Sequence, residues 1–315
     1  MKIVTGARAS TVLYNWLLSN NIKTKVLIPC NICESVPATY MKAGCEVQFC
    51  DISKTDWGMD FESAKTIINE KKIGLLHYNH TYGCISNNDV LFISEIKKQF
   101  PNILIVDDKC LSIPALSNTE NCDLTMYSTG YSKYLYINGG GYSCMSEKYN
   151  YRNYITKFLP ECEENFDKHI KSCHANHAPV DKNIMLSDWI PFEFSDGDYF
   201  ERMFAQKEKT DAHKKMINEV YSVIPGSLPM EYNNWRYNLL LENAEECRKE
   251  LFENGLFCSY HYMSLGNGYF SSEKTPNADY LEKHVINLFN DFCYTREQAE
   301  KTAELLKNKV VPAEI

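Results

Sequence analysis

Along the first half of the chain, short and continuously apolar stretches alternate with longer segments of helical spacing. Residues 25–29 (KVLIP), 46–50 (EVQFC), 73–78 (IGLLHY) and 103–107 (ILIVD) are strand length and rich in Ile, Val, Leu or aromatic residues. Between them, 9–19, 35–43, 61–71 and 89–100 repeat their apolar residues as amphipathic helices do. This alternation predicts parallel strands joined by crossover helices. A sheet covered on both faces also accounts for strands that are apolar throughout rather than at every second position. After Gly141 the rhythm changes: 146–221 is polar, aromatic and irregular, with a helix expected near 198–221 and no strand. A Pro/Gly break at 224–229 (IPGSLP) follows. The pattern then restarts with a strand at 236–241, a helix at 244–254 closed by Gly255, a strand at 256–260 and a helix from Ala278. The last helix opens on Thr295-Arg-Glu-Gln298, the spacing of a capping box. The expectation is an α/β chain with a large domain over 1–222 and a smaller α/β domain over 223–315.

Composition narrows the class. The 315 residues are 44% hydrophobic and 23% charged, with 14 Gly and 11 Pro, which excludes disordered, collagen-like and coiled-coil chains. The net charge of −8 and the lack of a dense Lys/Arg block argue against nucleic acid as a partner, while leaving room for one locally held phosphate. Thirteen cysteines scattered behind an N-terminus without a signal-type core read as reduced, mostly buried thiols of a cytoplasmic protein. No apolar run reaches the roughly 18 residues needed to span a bilayer.

In open parallel sheets ligands sit beyond the carboxyl ends of the strands. The fourth apolar run ends there in Asp107-Asp108, and a later apolar stretch runs through Ser128 into a turn carrying Lys133 and the glycines 139–141. Thr5-Gly6-Ala7-Arg8 opens the first helix, whose free backbone amides and dipole suit a phosphate. Singly these residues are ordinary surface, cap and turn chemistry. In this order they supply what pyridoxal phosphate requires: a phosphate cradle, a carboxylate for the pyridine nitrogen, and a hydroxyl and an amine on one turn.

The ordered set resembles the DegT/DnrJ/StrS sugar aminotransferases, which share the aspartate-aminotransferase-like fold. The pieces that carry the likeness are Gly6-Ala-Arg8, Val26-Leu-Ile-Pro29 with Cys33, Ala43-Gly-Cys-Glu-Val47, Phe49-Cys-Asp51-Ile, His80-Thr-Tyr-Gly83 and Ile105-Val-Asp-Asp108. Ser128 five residues before Lys133, Trp235-Arg236-Tyr237, His261-Tyr262 and Pro276-Asn277-Ala278 complete it. The resemblance implies that Lys133 is the cofactor-bound catalytic lysine. It implies that Asp108, rather than Asp107, partners the pyridine nitrogen, and that Ser128 with the Gly6, Ala7 and Arg8 backbone holds the phosphate. Cys33 falls where relatives place an aromatic residue over the cofactor ring. The implied activity is transfer of an amino group from a donor such as glutamate to a keto-sugar, nucleotide-linked in relatives, for surface polysaccharides or secondary metabolites, by a homodimer. Three departures concern substrate rather than cofactor: Leu111 stands at a position usually held by glutamine, an N-terminal stretch of relatives is missing, and 186–194 does not match their Asn-x-Arg-Met segment.

Other residues invite other readings. Cys30-Asn-Ile-Cys33 has a redox or zinc spacing but lacks a second pair, and His169, Cys173 and His177, with Cys162, recur on a helical face as metal ligands could; the expectation is no metal. Tyr131 and Tyr134 flank the lysine, with Tyr131 a candidate for substrate, and Arg236 carries a planar fork suited to a substrate carboxylate. His261 and Tyr262 are assigned to domain packing. The alternatives are a pyridoxal-phosphate enzyme for a small non-nucleotide keto compound, and a binding or regulatory relative without catalysis.

Overall fold

The structure, a computed structural model, describes residues 1–154, 157–158, 160–176, 178–181, 189–190, 197–266 and 273–314, with backbone alone for 157–158, 160–163 and 189–190. Its core is a seven-stranded sheet in the order β1-β7-β6-β5-β4-β2-β3. The strands are β1 (Lys2–Gly6), β2 (Lys25–Pro29), β3 (Glu46–Cys50), β4 (Leu75–Asn79), β5 (Leu104–Asp108), β6 (Leu124–Ser128) and β7 (Gly141–Met145). Pairings among β2 to β6 are parallel, and β7 runs antiparallel to both β6 and β1. The fold is thus the expected mostly parallel α/β sheet flanked by helices. β1 and β7 escape the apolar-run pattern because they mix polar residues and glycine with their apolar positions, Lys2, Thr5 and Gly6 in β1 and Gly141 and Ser143 in β7.

Helices α1 (Ala9–Ser19) and α2 (Ser35–Lys42) cover one face, and α3 (Phe61–Lys71) and α4 (Asn87–Gln99) the other. Strand alternation decides which side chains meet which layer. Val26, Ile28, Leu75, Val106, Leu124 and Met126 pack into the core with α1 and α2. Leu27, Leu76, Tyr78 and Ile105 pack with α3 and α4. Local chemistry fixes the helix starts: the Asp60 carboxylate accepts from the Ser63 amide at 2.8 Å, and Ser86 with Asp89 forms a reciprocal capping box at α4. The Thr295/Gln298 capping box is present as well.

Beyond β7 lie a short pair, β8 (Lys157–Phe158) with β9 (Trp189–Ile190), in a stretch expected to hold no strand, and helices α5 (Pro160–Asn176) and α6 (Tyr199–Tyr221). A three-stranded antiparallel sheet, β10 (Tyr237–Leu240), β12 (Val285–Leu288) and β11 (Cys258–Ser259), follows with α7 (Ala244–Glu253), α8 (Pro276–His284) and α9 (Arg296–Leu306). β12 was not expected, since the apolar VINL follows α8 with no turn signal between them. Leu228, Tyr232, Trp235, Leu240, Leu265 and Leu281 join the same core cluster as α1 and α2, so the two sheets share apolar surface. No helix among the described residues is long and apolar enough to cross a membrane.

Candidate active site

The carboxyl ends of β4, β5 and β6 lie side by side, with Asn79 opposite Asp108 and Asp108 opposite Met126. Alternation along β5 sends its two aspartates to opposite faces. Asp108 shares the α1/α2 face with Val106, and Asp107 shares the α3/α4 face with Ile105. Only Asp108 is therefore on the side of Ser128, which alternates with Leu124 and Met126 on that same face.

Each aspartate is held by a buried histidine. His77 Nε2 lies 3.1 Å from Asp108 Oδ2, and the Tyr40 hydroxyl lies 2.9 Å from His77 Nδ1. The Cys110 amide donates to Asp108 Oδ1 at 2.8 Å. Burial pushes the Asp108 pKa up, but His77 and the Cys110 bonds outweigh it and bring the carboxyl down to about 2, so Asp108 is an anion at any physiological pH. On the opposite face His80 Nε2 sits 2.6 Å from Asp107 Oδ1, and its Nδ1 lies 3.3 Å from Asp89 Oδ2. Burial lowers the His80 pKa, and Asp107 with Asp89 more than reverse this to about 9. Thr119 and Lys109 also bond or pair with Asp107. Asp107 is consumed by this network and ties β5 to the start of α4.

Ser128, Gly141 and Gly6 form one row across β6, β7 and β1. The row ends against α1, whose N-terminus, preceded by Arg8 in extended backbone, has no side-chain cap. A Cβ on Gly141 would stand 2.2 Å from the Ala9 nitrogen, so only glycine lets the strand approach the helix this closely. Gly140 N–H donates to the Ala7 carbonyl at 2.9 Å and Ser128 Oγ accepts from Gly130 N–H at 3.4 Å. Gly6, Ala7 and Ser128 are thus assembled at one anion-friendly corner, with the Arg8 side chain exposed beside them.

Lys133 rides on the loop between β6 and β7. Thr129 fastens the base of that loop, its amide and hydroxyl donating to the Gly140 and Gly139 carbonyls at 3.0 and 2.8 Å. Burial works against charge on Lys133, but Tyr262, Cys110, Cys33 and Asp108 together hold its ammonium above the usual lysine range. These four residues come from three separate segments, Cys33, Asp108 with Cys110, and Tyr262, so the lysine is the point on which they converge. Burial, with Glu34, lifts the Cys33 thiol to about 11 against the pull of Lys133, leaving it a neutral, partly exposed side chain beside the amine.

The second sheet supplies a wall. The Trp235 indole N–H donates to the Ser132 carbonyl at 2.8 Å, and Arg236 Nη2 donates to the Ser132 hydroxyl at 2.7 Å. Tyr82, Trp235 and Tyr262 lie nearly parallel, with centroids 6.1 and 6.5 Å apart. Tyr131, by contrast, is 79% exposed and turned toward Tyr136, outside this cluster. Tyr134 is buried with its hydroxyl on Asp211, and Tyr127 stacks on Tyr142 in the core. Leu111, at the glutamine position, is a buried core residue. Cys173 and His169 touch, their Sγ and Nε2 3.4 Å apart, while the Cys162 side chain and His177 lie outside the described residues, as does most of 186–194.

Beyond the residues that the sequence motifs nominate, His77, Tyr40, Ser132 and Cys110 also take part, and Tyr262, expected in domain packing, acts on Lys133 as well. One signal was available: a histidine inside the otherwise apolar IGLLHY run is a polar group with an obligation to find a buried partner.

No family model matches the chain, and no curated protein matches it. Solved structures do. A Streptococcus pneumoniae protein in its PMP form, provisionally assigned as a sugar aminotransferase, superposes with a TM-score of 0.70 at 15% identity, covering 98% of this chain and 87% of that one. A DegT DnrJ EryC1 StrS aminotransferase from Brucella abortus gives 0.69 at 14% identity, covering 98% and 86%. The E. coli GDP-4-keto-6-deoxy-D-mannose-3-dehydratase with bound hydrated PLP gives 0.62 at 15%, covering 98% and 88%. At these identities the likeness is one of architecture, and nearly the whole chain has the fold of PLP-dependent aminotransferases.

Proposed function

We propose that the chain is a pyridoxal-phosphate-dependent aminotransferase of the DegT/DnrJ/StrS type. The observation that carries the reading is the convergence of an ionised Asp108 and a half-buried Lys133 on the face that also presents Ser128 and the α1 N-terminus. The residues fit the cofactor at each end: an uncapped helix start with a hydroxyl for its phosphate, and a carboxylate that stays charged for its ring nitrogen. Bound there, pyridoxal phosphate supplies an aldehyde for an amine and a ring that accepts electrons from the substrate Cα.

Asp108, fixed by His77, would keep the ring nitrogen protonated. Gly6, Ala7, Arg8 and Ser128 would hold the phosphate, and Cys33 would lie on the ring side with a thiol in place of an aromatic face. Lys133 Nζ is the amine that would hold the cofactor aldehyde, and the same nitrogen would serve as base and acid for the substrate Cα proton. Tyr262 stands beside the amine and is placed to share that proton. The amino donor is an amino acid such as glutamate and the acceptor a keto-sugar, nucleotide-linked in the finer form of the reading, with Tyr131 and Arg236 toward substrate. We further propose a homodimer of two-domain subunits, 1–222 and 223–315.

The test is spectroscopic. Purified protein given pyridoxal phosphate should gain a visible absorption band, and borohydride should fix the cofactor covalently on Lys133, read by peptide mass. A band that Lys133→Ala leaves unchanged, or no band at all, sinks the enzyme reading; a band that amino donors fail to bleach leaves the cofactor and removes transamination.

A further inference from the structure

Lys214 stands on the buried stripe of α6 with Met203, Thr210, Ile217 and Tyr221, and is 3% exposed. Its Nζ donates to the Trp235 carbonyl at 2.6 Å and to Asn290 Oδ1 at 2.7 Å, both neutral acceptors. The Asn290 oxygen is turned toward Nζ because the other end of its amide donates to Asn218 Oδ1 at 2.9 Å and to the Asn233 carbonyl at 3.3 Å. The ring of Tyr134 lies beside Nζ, its centroid 5.1 Å away. No carboxylate bonds Nζ among the described residues, so a full charge here loses water without gaining an anion.

These contacts bracket Lys133. Trp235, whose carbonyl Lys214 bonds, donates its indole N–H to the Ser132 carbonyl at 2.8 Å. Tyr134 donates its hydroxyl to Asp211 Oδ1 at 2.5 Å, and Asp211 lies one turn before Lys214 on α6. Ser132 and Tyr134 are the chain neighbours of Lys133, so one turn of α6 reaches the lysine loop from both sides. The titratable and charged groups facing Nζ are Asp211, paired with Lys207, on α6, Tyr134 on the loop, Arg236 before β10 and Asp291 after β12. Burial lowers the Lys214 amine to about 7, with Asp291 and Asp211 opposing the fall and Arg236 adding to it.

We propose that Lys214 is a positioning residue for Lys133, fastening Ser132 through Trp235 and Tyr134 through its ring, and that a proton taken up by its buried amine loosens the loop. The inference rests on Lys133 being the cofactor lysine, and it gives the cofactor site a sensitivity to pH that arises outside it. An ammonium binds carbonyls and a ring face more strongly than an amine does, but water solvates it more strongly still. Burial leads among the influences on Lys214, so the balance falls against the charged, closed state. The opened loop, with Lys214 hydrated and near the ordinary lysine value, binds the proton more tightly than the closed one. Closure therefore strengthens as pH rises from about 7 toward about 10 and is level below 7.

The experiment follows the Trp235 indole hydrogen as it exchanges into deuterated water, in the purified full chain without cofactor, isotope-labelled at tryptophan and assigned with Trp235→Phe. Corrected for the rate of free indole, exchange should slow about tenfold from pH 7 to pH 8.5 and change less than about twofold from pH 5.5 to pH 6.5. Lys214→Met, which cannot take a proton, and Lys214→Arg, which never releases one, should both lose this slope and exchange faster than the wild type at pH 8.5. Given pyridoxal phosphate at that pH, both variants should capture borohydride-fixed cofactor on Lys133 several-fold more slowly. Near-UV circular dichroism identifies a variant that has not folded, and the wild-type slope tests the proposal without either. A level wild-type rate from pH 7 to pH 8.5, the same slope in Lys214→Met, or measurable cofactor capture that is equal in all three proteins overturns the proposal. Indole exchange that follows the expected pattern in a chain that gains no visible band strikes the cofactor reading and leaves the hold on the loop intact.

Discussion

A histidine with no access to solvent must place both ring nitrogens, and His77 does so on Tyr40 and Asp108. An ionised Asp108 can only accept, so His77 Nε2 carries the hydrogen and donates to it. The bond is the main reason that a carboxyl whose burial favours the neutral form is held down at about 2. A carboxyl with a depressed folded pKa contributes stability that is whole above its ordinary pKa near 4 and is lost as pH falls toward the folded value. A shift of this size is worth on the order of 2 kcal/mol. His77→Leu should therefore unfold in urea with a deficit that is largest near pH 6 and narrows as pH falls below 4. A deficit of the same size at every pH would mean that His77 merely fills space. The same variant should bind pyridoxal phosphate less tightly, since a protonated Asp108 no longer attracts a protonated ring nitrogen.

Between elements, the decisive contact is that of β7 with the start of α1, and it admits no side chain. Gly141→Ala would place a methyl 2.2 Å from the Ala9 nitrogen, forcing helix and strand apart. The expected outcome is a loss of roughly 1–3 kcal/mol in urea unfolding, the range of overpacking, together with loss of cofactor uptake as the Ser128 row is pulled from the helix amides. Gly130→Ala is the control. Its Cβ would make only ordinary contact, 3.6 Å from Ser128 Oγ, and stability should stay within about 0.5 kcal/mol. Equal loss in both variants would show that the β7–α1 approach is not special. What was legible at this scale followed from period and length. The central strands β2 to β5 and helices α1 to α4 announce themselves because buried parallel strands are apolar at every position. β1 and β7 do not, since half their positions are Thr, Ser, Gly or Lys and their pairing partners are remote in sequence. Lys133, Asp108 and Ser128 were legible because each stands beside an apolar run, at a strand end or on the turn after it. Tyr262, which acts on Lys133, and Arg236, which bonds Ser132 next to it, come from segments beside the second sheet, and nothing local in sequence reports such a meeting.

At the scale of the whole chain, two sequence pieces that looked independent prove to be one contact. Asp51, just past β3, accepts from the backbone amides of Asn277 and Ala278 at 3.0 Å each, and the Asn277 amide side chain donates to the Ile52 carbonyl at 2.7 Å. A carboxylate of the large sheet thus caps α8 of the C-terminal part, doing across the molecule what an N-cap residue does locally. The Leu265 amide on the Cys30 carbonyl and the Tyr232 hydroxyl on the Asp56 carbonyl, at 2.9 and 2.7 Å, run in the same direction. With Trp235 and Arg236 on Ser132, these bonds set the second sheet against the lysine loop. Such an arrangement predicts that the proposed units 1–222 and 223–315 unfold together. In urea, far-UV circular dichroism and hydrogen exchange at β10 and β12 should report the same transition as exchange at β5. Asp51→Ala should cost about 1–2 kcal/mol, the range for a lost helix cap, and the loss should fall unevenly. Amides of β10, β12 and α8 should exchange before those of β5, because α8 has lost its anchor while the β5 ladder is untouched. Uniform acceleration at every strand would mean that the two sheets behave as one cooperative body without the Asp51 cap. No change at either would remove Asp51 from the coupling and leave Trp235 and Arg236 to carry it.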